Sequence, residues 1–341
     1  MRYIIIGAGA VGGSIGGRLA EAGTDVVLVA RGAHYEALRD HGLTFTTPDG
    51  THTRRIPVVD RPEDVELGPD DVLLLAVKTQ DSLAALTAWS RRPVRGGGTA
   101  GERLPLVCAQ NGVESERLAL RRFRHVYAMC VWLPSSHVEP GAVLAPSAPF
   151  TGILHLGRYP SGTDETARAV GGDLEKARLL APVVPDAMRW KYAKLLSNLA
   201  NAIEAVSGLT EEDARVVHRR ALAEGWAVLA AAGADCATQE EQDEARSLIH
   251  FDAATGAARG GGSSWQSLAR GAGTIETDYL NGEIVLLGRM HGVATPVNET
   301  LQLLADTFAA ERRPAASLPA SQLRARVEEA VAAGQAGTGP A

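Results

Sequence analysis

Residues 2–13 read Arg-Tyr-Ile-Ile-Ile-Gly-Ala-Gly-Ala-Val-Gly-Gly, and this stretch decides the fold. A β-branched run ends in Gly7-Ala8-Gly9-Ala10-Val11-Gly12 and passes straight into a helical pattern over residues 14–22. Strand, glycine-rich turn and helix, in that order, are the context a dinucleotide-binding fingerprint requires. Gly7 permits the tight turn, Gly9 lets backbone approach a pyrophosphate, and Gly12 lets the helix close on the strand. The helix N-terminus then offers N–H groups and a positive dipole end to phosphate. Gly7, Ala8, Gly9, Ala10, Val11 and Gly12 are therefore the expected cofactor cradle, against the alternative of a glycine-rich turn with no ligand.

The next strand, residues 25–29, ends in Ala30-Arg31-Gly32. An NAD-binding strand usually ends in an acid that accepts from the ribose 2′-OH. Here the acid is missing, and Arg31 is placed to pair with a 2′-phosphate. NADP(H) is expected over NAD(H). The bland alternative for Arg31 is a solvated loop arginine.

Strand-like runs recur at 3–6, 26–29, 72–77, 106–109 and 125–131, with helical patterns near 10–22, 33–41, 80–90 and 113–121. This alternation predicts an α/β fold: a Rossmann-type, mostly parallel sheet with helices on both faces. Pro48-Asp49-Gly50 between two short runs predicts an inserted hairpin. Residues 91–103, rich in Gly, Arg and Pro, are expected to be a mobile loop, and 137–158 to form β-hairpins. After residue 183 strand patterns vanish, and helices are expected at 187–206, 211–233, 238–250, 275–290 and 296–311. Thr295-Pro296 has the form of an N-cap followed by proline at the first helical position. A glycine-rich loop is expected at 256–262, a helix at 320–333 and disorder at 334–341. The expected organisation is a cofactor-binding domain over 1–182, an all-helical C-terminal domain over 183–315 and a tail over 316–341.

With 341 residues, 45% of them hydrophobic, the chain can bury two cores. A formal net charge of −6 with no basic block argues against nucleic acid, and no segment suggests a membrane. The chain enters its first strand at once, so no secretory segment is expected, and the cytoplasm is the expected compartment. Cys108, Cys130 and Cys236 have no metal-ligand spacing, and no metal is expected. A small-molecule substrate is the expected partner, and a homodimer the expected assembly.

Four further places could carry chemistry. The run 71–77 delivers Lys78 to the carboxyl end of an apolar strand, where open α/β sheets bind ligands. The run 106–109 likewise delivers Gln110-Asn111-Gly112. Singly, these would be a surface lysine and a turn asparagine; with the fingerprint they line one edge. On the helix Trp190–Ala202, Lys191, Lys194, Asn198 and Asn201 fall on one stripe, opposite Tyr192, Leu195, Leu196, Leu199 and Ile203. The stripe is either a solvated face or a ligand-binding one. Two asparagines in mid-helix favour the ligand, because asparagine is a poor helix former. Last come Ser263-Ser264-Trp265 and Glu276-Thr-Asp278-Tyr-Leu-Asn281-Gly282. A serine hydroxyl there can bind a carboxylate, whereas Glu276 is favoured near a helix start even without a function.

Taken in order, these motifs resemble those of the ketopantoate reductases and their paralogues. The resemblance spans about residues 1–311. It includes Gly7-x-Gly9-x-x-Gly12, Val77-Lys78, Gln110-Asn111-Gly112, Lys194-x-x-x-Asn198, Ser263-Ser264, Glu276-x-Asp278-x-x-Asn281-Gly282 and the ending Gly292-Val-Ala-Thr-Pro296-Val-Asn298. It implies a Rossmann domain plus an all-helical domain. It implies that Lys194 is the general acid toward a keto oxygen, with Asn198 and Glu276 beside it as catalytic residues. Asn111 and Asn198 would orient substrate and nicotinamide, Ser264 would bind a substrate carboxylate, Glu276 a substrate hydroxyl, and Lys78 would lie near the cofactor ribose. The ketopantoate-specific pattern carries asparagine eight residues after the lysine and aspartate four after the serine; this chain has Ala202 and Leu268 there, and Trp265 in place of a methionine. Asn201 is the candidate stand-in for the missing amide. The expected activity is NADPH-dependent reduction of a small 2-oxo acid, with the pantothenate pathway as its setting. The alternatives are a different 2-oxo acid or an imine, and a non-catalytic NADPH sensor.

Overall fold

The computed structural model describes residues 1–137, 139–252, 255 and 261–336, and it divides into two compact units. One holds residues 1–191 with 237–259, the other 192–236 with 260–341.

The first unit is built on a seven-stranded sheet. Its order is β11 (Ile153–Arg158), β8 (His125–Trp132), β7 (Pro105–Cys108), β6 (Asp71–Leu75), β1 (Arg2–Ile6), β2 (Asp25–Val29), β5 (Val58–Val59). Every neighbouring pair is parallel except β11 on β8. Strand residues alternate between faces, and the core divides accordingly. Tyr3, Ile5, Val26, Leu28, Val72, Leu74 and Val107 face one apolar cluster with α1 (Ala10–Glu21) and α6 (Glu165–Lys176). Ile4, Ile6, Val27, Val29, Leu73, Leu75, Leu106 and Cys108 face another, with α3 (Ser82–Ser90), α4 (Ala100–Arg103) and α5 (Ser115–Leu120). Continuous apolar strands are what a sheet covered on both faces demands. The α/β expectation holds.

Three local expectations change. Residues 91–103 are built in: Val94 and Ala100 are buried, Arg95 N–H donates to the Leu67 carbonyl, and Thr99 with Glu102 forms a capping box that starts α4. The three glycines at 96–98 take positive φ and supply the sharp turn that a mobile loop would not need. Among the described residues, 137–158 form no strand-to-strand hairpin, and only an isolated antiparallel bridge joins Ser136 to Leu144. Strand β9 (Ala142–Leu144) joins β3 (Leu43–Thr47) in parallel, beside the hairpin partner β4 (Gly50–Arg54). Strand β10 (Ser147–Ala148) pairs β12 (His250–Phe251), and β11 closes the main sheet. Pro146 and Pro149 cannot donate to a ladder, so consecutive strands there find partners elsewhere. Strand structure therefore also returns after residue 183, at β12.

Helix α2 (Gly32–His41) follows β2, and α10 (Gln239–Arg246) belongs to the first unit, where Arg189 pairs in bidentate fashion with Glu241 at 2.7 and 2.8 Å. The division between units falls inside α7 (Ala187–Asn198). The expected helix over 187–206 is interrupted at Leu199, and α8 (Ala200–Val206) follows.

The second unit is helical among its described residues. With α8 and α9 (Glu212–Ala231) it holds α11 (Ser263–Ala269), α12 (Asn281–His291), α13 (Pro296–Ala310) and α14 (Ala320–Ala336). Its core joins Ile203, Val217, Leu301, Phe308, Leu323 and Val327. Gly225 of α9 lies so close to α7 that a Cβ there would sit 2.6 Å from Leu196 Cδ2. Thr295 precedes Pro296 as expected, but its side chain makes no capping bond. Residues 256–260 and 337–341, where a glycine loop and part of the disorder were expected, lie outside the described residues.

Candidate active site

In the first unit the expected cofactor residues gather at one edge. Strands β2, β1, β6 and β7 are parallel neighbours, so their carboxyl ends point the same way. Arg31, the Gly7–Gly12 turn, Lys78 and Asn111 follow those four ends in turn. The chain leaves β1 for β2 on one side and reaches β6 on the other, which makes this edge a topological switch point.

The three fingerprint glycines do distinct jobs. Gly7 has φ +102°, and a Cβ there would lie 2.7 Å from the Val77 nitrogen. A Cβ on Gly12 would overlap the Gly7 carbonyl oxygen and press on Ile5. At Gly9, the N-cap of α1, a Cβ would meet nothing within 4 Å. Gly7 and Gly12 are therefore closed by protein, while Gly9 faces open space. Helix α1 has no acidic residue in its first turn and no side-chain cap. Ala10 and Val11 thus begin a helix whose positive end is left to an anion, which fits a dinucleotide pyrophosphate. Arg31 is exposed at the N-cap of α2, Lys78 and Asn111 are half-buried, and Gly112 turns the chain at φ +74°.

Two residues outside the expected set brace this edge. Gln110, buried, donates from Nε2 to the Val77 carbonyl at 2.8 Å and to Ser82 Oγ at 2.7 Å, tying β7 to the loop after β6. His34 of α2 accepts at Nδ1 from the Gly141 N–H at 2.9 Å. Its other nitrogen therefore carries the proton and donates to the Ala8 carbonyl at 2.8 Å. Burial lowers the His34 pKa, in keeping with this neutral ring. A histidine in a short helix carried no sequence signal for that role; Gln110 was at least legible as part of Gln110-Asn111-Gly112.

In the second unit, Lys194 and Asn198 lie one turn apart on α7, and Asn201 follows the interruption, on α8. Ser264 stands in the first turn of α11, and Glu276 precedes a short 3-10 turn at Thr277–Tyr279; both are buried. Gly262, just before α11, donates its N–H to Glu204 of α8 at 2.9 Å, and a Cβ on Gly262 would lie 3.7 Å from the Asn201 side-chain oxygen. Asn201 is thus brought to the start of the Ser263-Ser264 helix. Asn198 Nδ2, Ser263 Oγ and Ser264 Oγ are all buried without a hydrogen-bond partner. Buried polar groups are nearly always satisfied, so three orphans on these two segments need a reason.

Lys191 leaves the stripe on which it was expected. It is buried in the first unit, where Nζ forms an ion pair with the fully buried Glu116 of α5. Burial raises the Glu116 carboxyl pKa, and the lysine opposes that shift. The two lysines differ because α7 meets different partners along its length, which a helical stripe cannot express. The departures Ala202 and Leu268 both lie in the apolar core of the second unit, and the Trp265 indole packs against Gly261.

The amino-terminal half matches the family model described as ketopantoate reductase PanE/ApbA over residues 3–160, and the carboxyl-terminal half matches the model for that family's C-terminal region over 186–308. The chain belongs to the ketopantoate reductase family. It is 30% identical over 310 residues to the 2-dehydropantoate 2-reductase of Mycobacterium tuberculosis, covering 87% of this chain and 94% of that one. It is 30% identical over 316 residues to that of Caulobacter vibrioides, covering 89% and 98%. A PanE/ApbA family ketopantoate reductase from Ralstonia eutropha superimposes with TM-score 0.74 at 25% identity, covering 92% and 100%. A D-mandelate dehydrogenase solved with NADH and anilino(oxo)acetate has the same fold, at TM-score 0.74, 21% identity and coverage of 92% and 99%. As a family member the chain is an oxidoreductase acting on CH–OH groups. No helix among the described residues is long and apolar enough to cross a membrane.

Proposed function

We propose that this protein reduces a small 2-oxo acid to the 2-hydroxy acid with NADPH, and that its best substrate is not ketopantoate. The observation that carries the reading is the set of buried, unpartnered side-chain groups at Asn198 and Ser264. Both are positions where family resemblance puts substrate contacts, and a bound polar ligand would satisfy them. Ser264 Oγ donates to the substrate carboxylate. Asn198 Nδ2 and Asn111 hold the carbonyl and the carboxamide end of the cofactor in register. Lys194 Nζ holds the proton given to the carbonyl oxygen, and its ammonium stabilises negative charge developing there. Glu276 accepts from a substrate donor, and Asn201 extends the polar wall. Gly7, Ala8, Gly9, Ala10, Val11 and Gly12 would cradle NADPH, with Lys78 near its ribose and Arg31 on its 2′-phosphate; when bound it would supply the hydride for C2. Ala202 and Leu268 put apolar core where the ketopantoate-specific pattern has polar groups, and a less polar side chain follows.

Steady-state NADPH oxidation with ketopantoate beside branched and aromatic 2-oxo acids tests this. One of the latter should give the higher kcat/KM; a clear win for ketopantoate overturns the substrate assignment. Lys194→Ala should lower kcat by roughly 10²-fold or more while leaving NADPH affinity nearly unchanged. Wild-type NADPH should bind more tightly than NADH, and Arg31→Ala should narrow that preference roughly ten- to hundred-fold. Equal affinity for both cofactors rules out the role given to Arg31. NADPH binding with no turnover of any 2-oxo acid leaves a sensor as the better description.

A further inference from the structure

The motif residues Asn281 and Asn298 have no part in the reaction described above, yet both are completely buried. Asn281 begins α12 and donates from Nδ2 to the Leu199 carbonyl at 3.3 Å and to Asn298 Oδ1 at 3.0 Å. Asn298, in the first turn of α13, donates from Nδ2 to the Ala221 carbonyl at 3.0 Å and to Glu224 Oε2 at 2.8 Å. Glu224 of α9 also accepts from the backbone N–H groups of Val297 and Asn298, each at 2.9 Å. It thereby caps α13 in place of Thr295. Burial raises the Glu224 carboxyl pKa, and the donors from α13 pull it back. The chain of bonds thus runs from α9 through α13 and α12 to a single backbone carbonyl.

That carbonyl belongs to the residue at which the helix carrying Lys194 and Asn198 is interrupted. Leu199 N–H bonds to Leu196 O at 3.2 Å, an i−3 contact, where a continuous helix would use i−4. Helix interruptions have identifiable causes, one of which is a side chain entering the ladder. We infer that Asn281, Asn298 and Glu224 are positioning residues that fix the α7–α8 junction at Leu199 and, through it, the unpartnered Asn198 amide and Lys194. The contrast between neighbours supports this. The Nδ2 groups of Asn281 and Asn298 each donate to two acceptors, while Nδ2 of Asn198, beside the junction, has none; Asn281 Oδ1 is likewise without a partner. Directional donors in a buried network favour one arrangement, which a purely apolar core does not do as strictly. The inference rests on the roles proposed above for Lys194 and Asn198.

The test uses the full chain, with NADPH oxidation measured on ketopantoate and on 3-methyl-2-oxobutanoate, below the lowest Tm of the set. Asn281→Ala should lower kcat by roughly ten- to hundred-fold, as small misplacements of reacting groups do, with NADPH affinity unchanged. Leu301→Ala, which opens a cavity in the same core, should lower Tm comparably and leave kcat near wild type. The kcat losses should rank Asn281→Ala, then Asn298→Ala, then Glu224→Gln, following proximity to Leu199, whereas losses in Tm need not. Asn281→Gln, which keeps a donor, should restore part of kcat. In the ligand-free protein, the Asn198 side-chain amide resonance should move in Asn281→Ala and stay in place in Leu301→Ala. Equal kcat for those two variants at equal loss of Tm, or an unmoved Asn198 resonance, overturns the inference. Wild-type kcat in Lys194→Ala overturns the reaction assignment instead, and the resonance still decides the network.

Discussion

The glycine turn after β1 and the helical segments around Asn198 and Ser264, the two ligand sites proposed above, are built in opposite ways. At the turn, side chains are absent. Gly7 and Gly12 are closed by protein, Gly9 is open, and the surrounding polar groups are tied down by Gln110 and His34. At Asn198, Ser263 and Ser264 side chains are present, and Asn198 Nδ2 and the two hydroxyls have no hydrogen-bond partner. A backbone cradle can be rigid and satisfied before its ligand arrives, because the N–H groups at a helix start are accessible anyway. A site that reads substrate with side chains must hold buried donors without partners, and that costs stability until the ligand binds.

The sharpest way to break this contrast is at Lys191, three residues before Lys194 on the same helix. Its partner Glu116 is fully buried and would be left uncompensated. Lys191→Ala should therefore destabilise by about 3–5 kcal/mol in urea titration, far more than Lys194→Ala. The pair Lys191→Met with Glu116→Leu should recover most of that loss. A cost below about 1 kcal/mol would mean that water reaches the pair and that α7 is not anchored there.

How much of this was legible depends on what encodes each feature. The turn was readable because a glycine at positive φ and a glycine pressed on a carbonyl are written directly into residue identity and spacing. The sheet followed from apolar runs buried on both faces. Lys191 was misplaced because helical spacing says which residues share a stripe, not what covers it. The interruption at Leu199 was invisible for a similar reason: its carbonyl receives a side chain 82 residues away in sequence. Glu224 gave no cue at all, since its capping role needs α9 and α13 to be adjacent.

An unpartnered buried atom does not by itself mark a site, and His155 separates the two cases. It lies in β11 under the sheet face, stacked on Trp190 with ring centroids 3.6 Å apart, and its Nδ1 has no partner. Burial lowers its pKa from 6.5 to about 4. The folded state thus binds this proton more weakly than the unfolded chain. Stability is complete above pH 6.5 and falls as the pH drops from 6.5 toward 4. The loss should reach about 3 kcal/mol from this group. His155→Phe should flatten the stability curve in that window and leave kcat at pH 8 unchanged. If the curve keeps its slope, the ring is not buried neutral, and its Nδ1 belongs with the ligand-binding groups after all.

The smallest effect is the most direct comparison, between two buried serines. Ser82 Oγ accepts from Gln110 Nε2 at 2.7 Å, so Ser82→Ala leaves that buried amide nitrogen with only the Val77 carbonyl and strands one of its N–H groups. Ser264 Oγ has no partner to strand. Removing it deletes a desolvated hydroxyl and opens a void of one oxygen atom. Ser82→Ala should accordingly cost about 1–3 kcal/mol, whereas Ser264→Ala should be neutral or stabilise by up to about 1 kcal/mol. The same Ser264→Ala change should raise the KM for the 2-oxo acid, because the carboxylate loses its donor. A gain in stability coupled to a loss of binding is what a site held open for a ligand produces. A loss of stability at Ser264 comparable to that at Ser82 would show that its hydroxyl is already bonded in the ligand-free protein. The side-chain segments would then be as satisfied as the glycine turn.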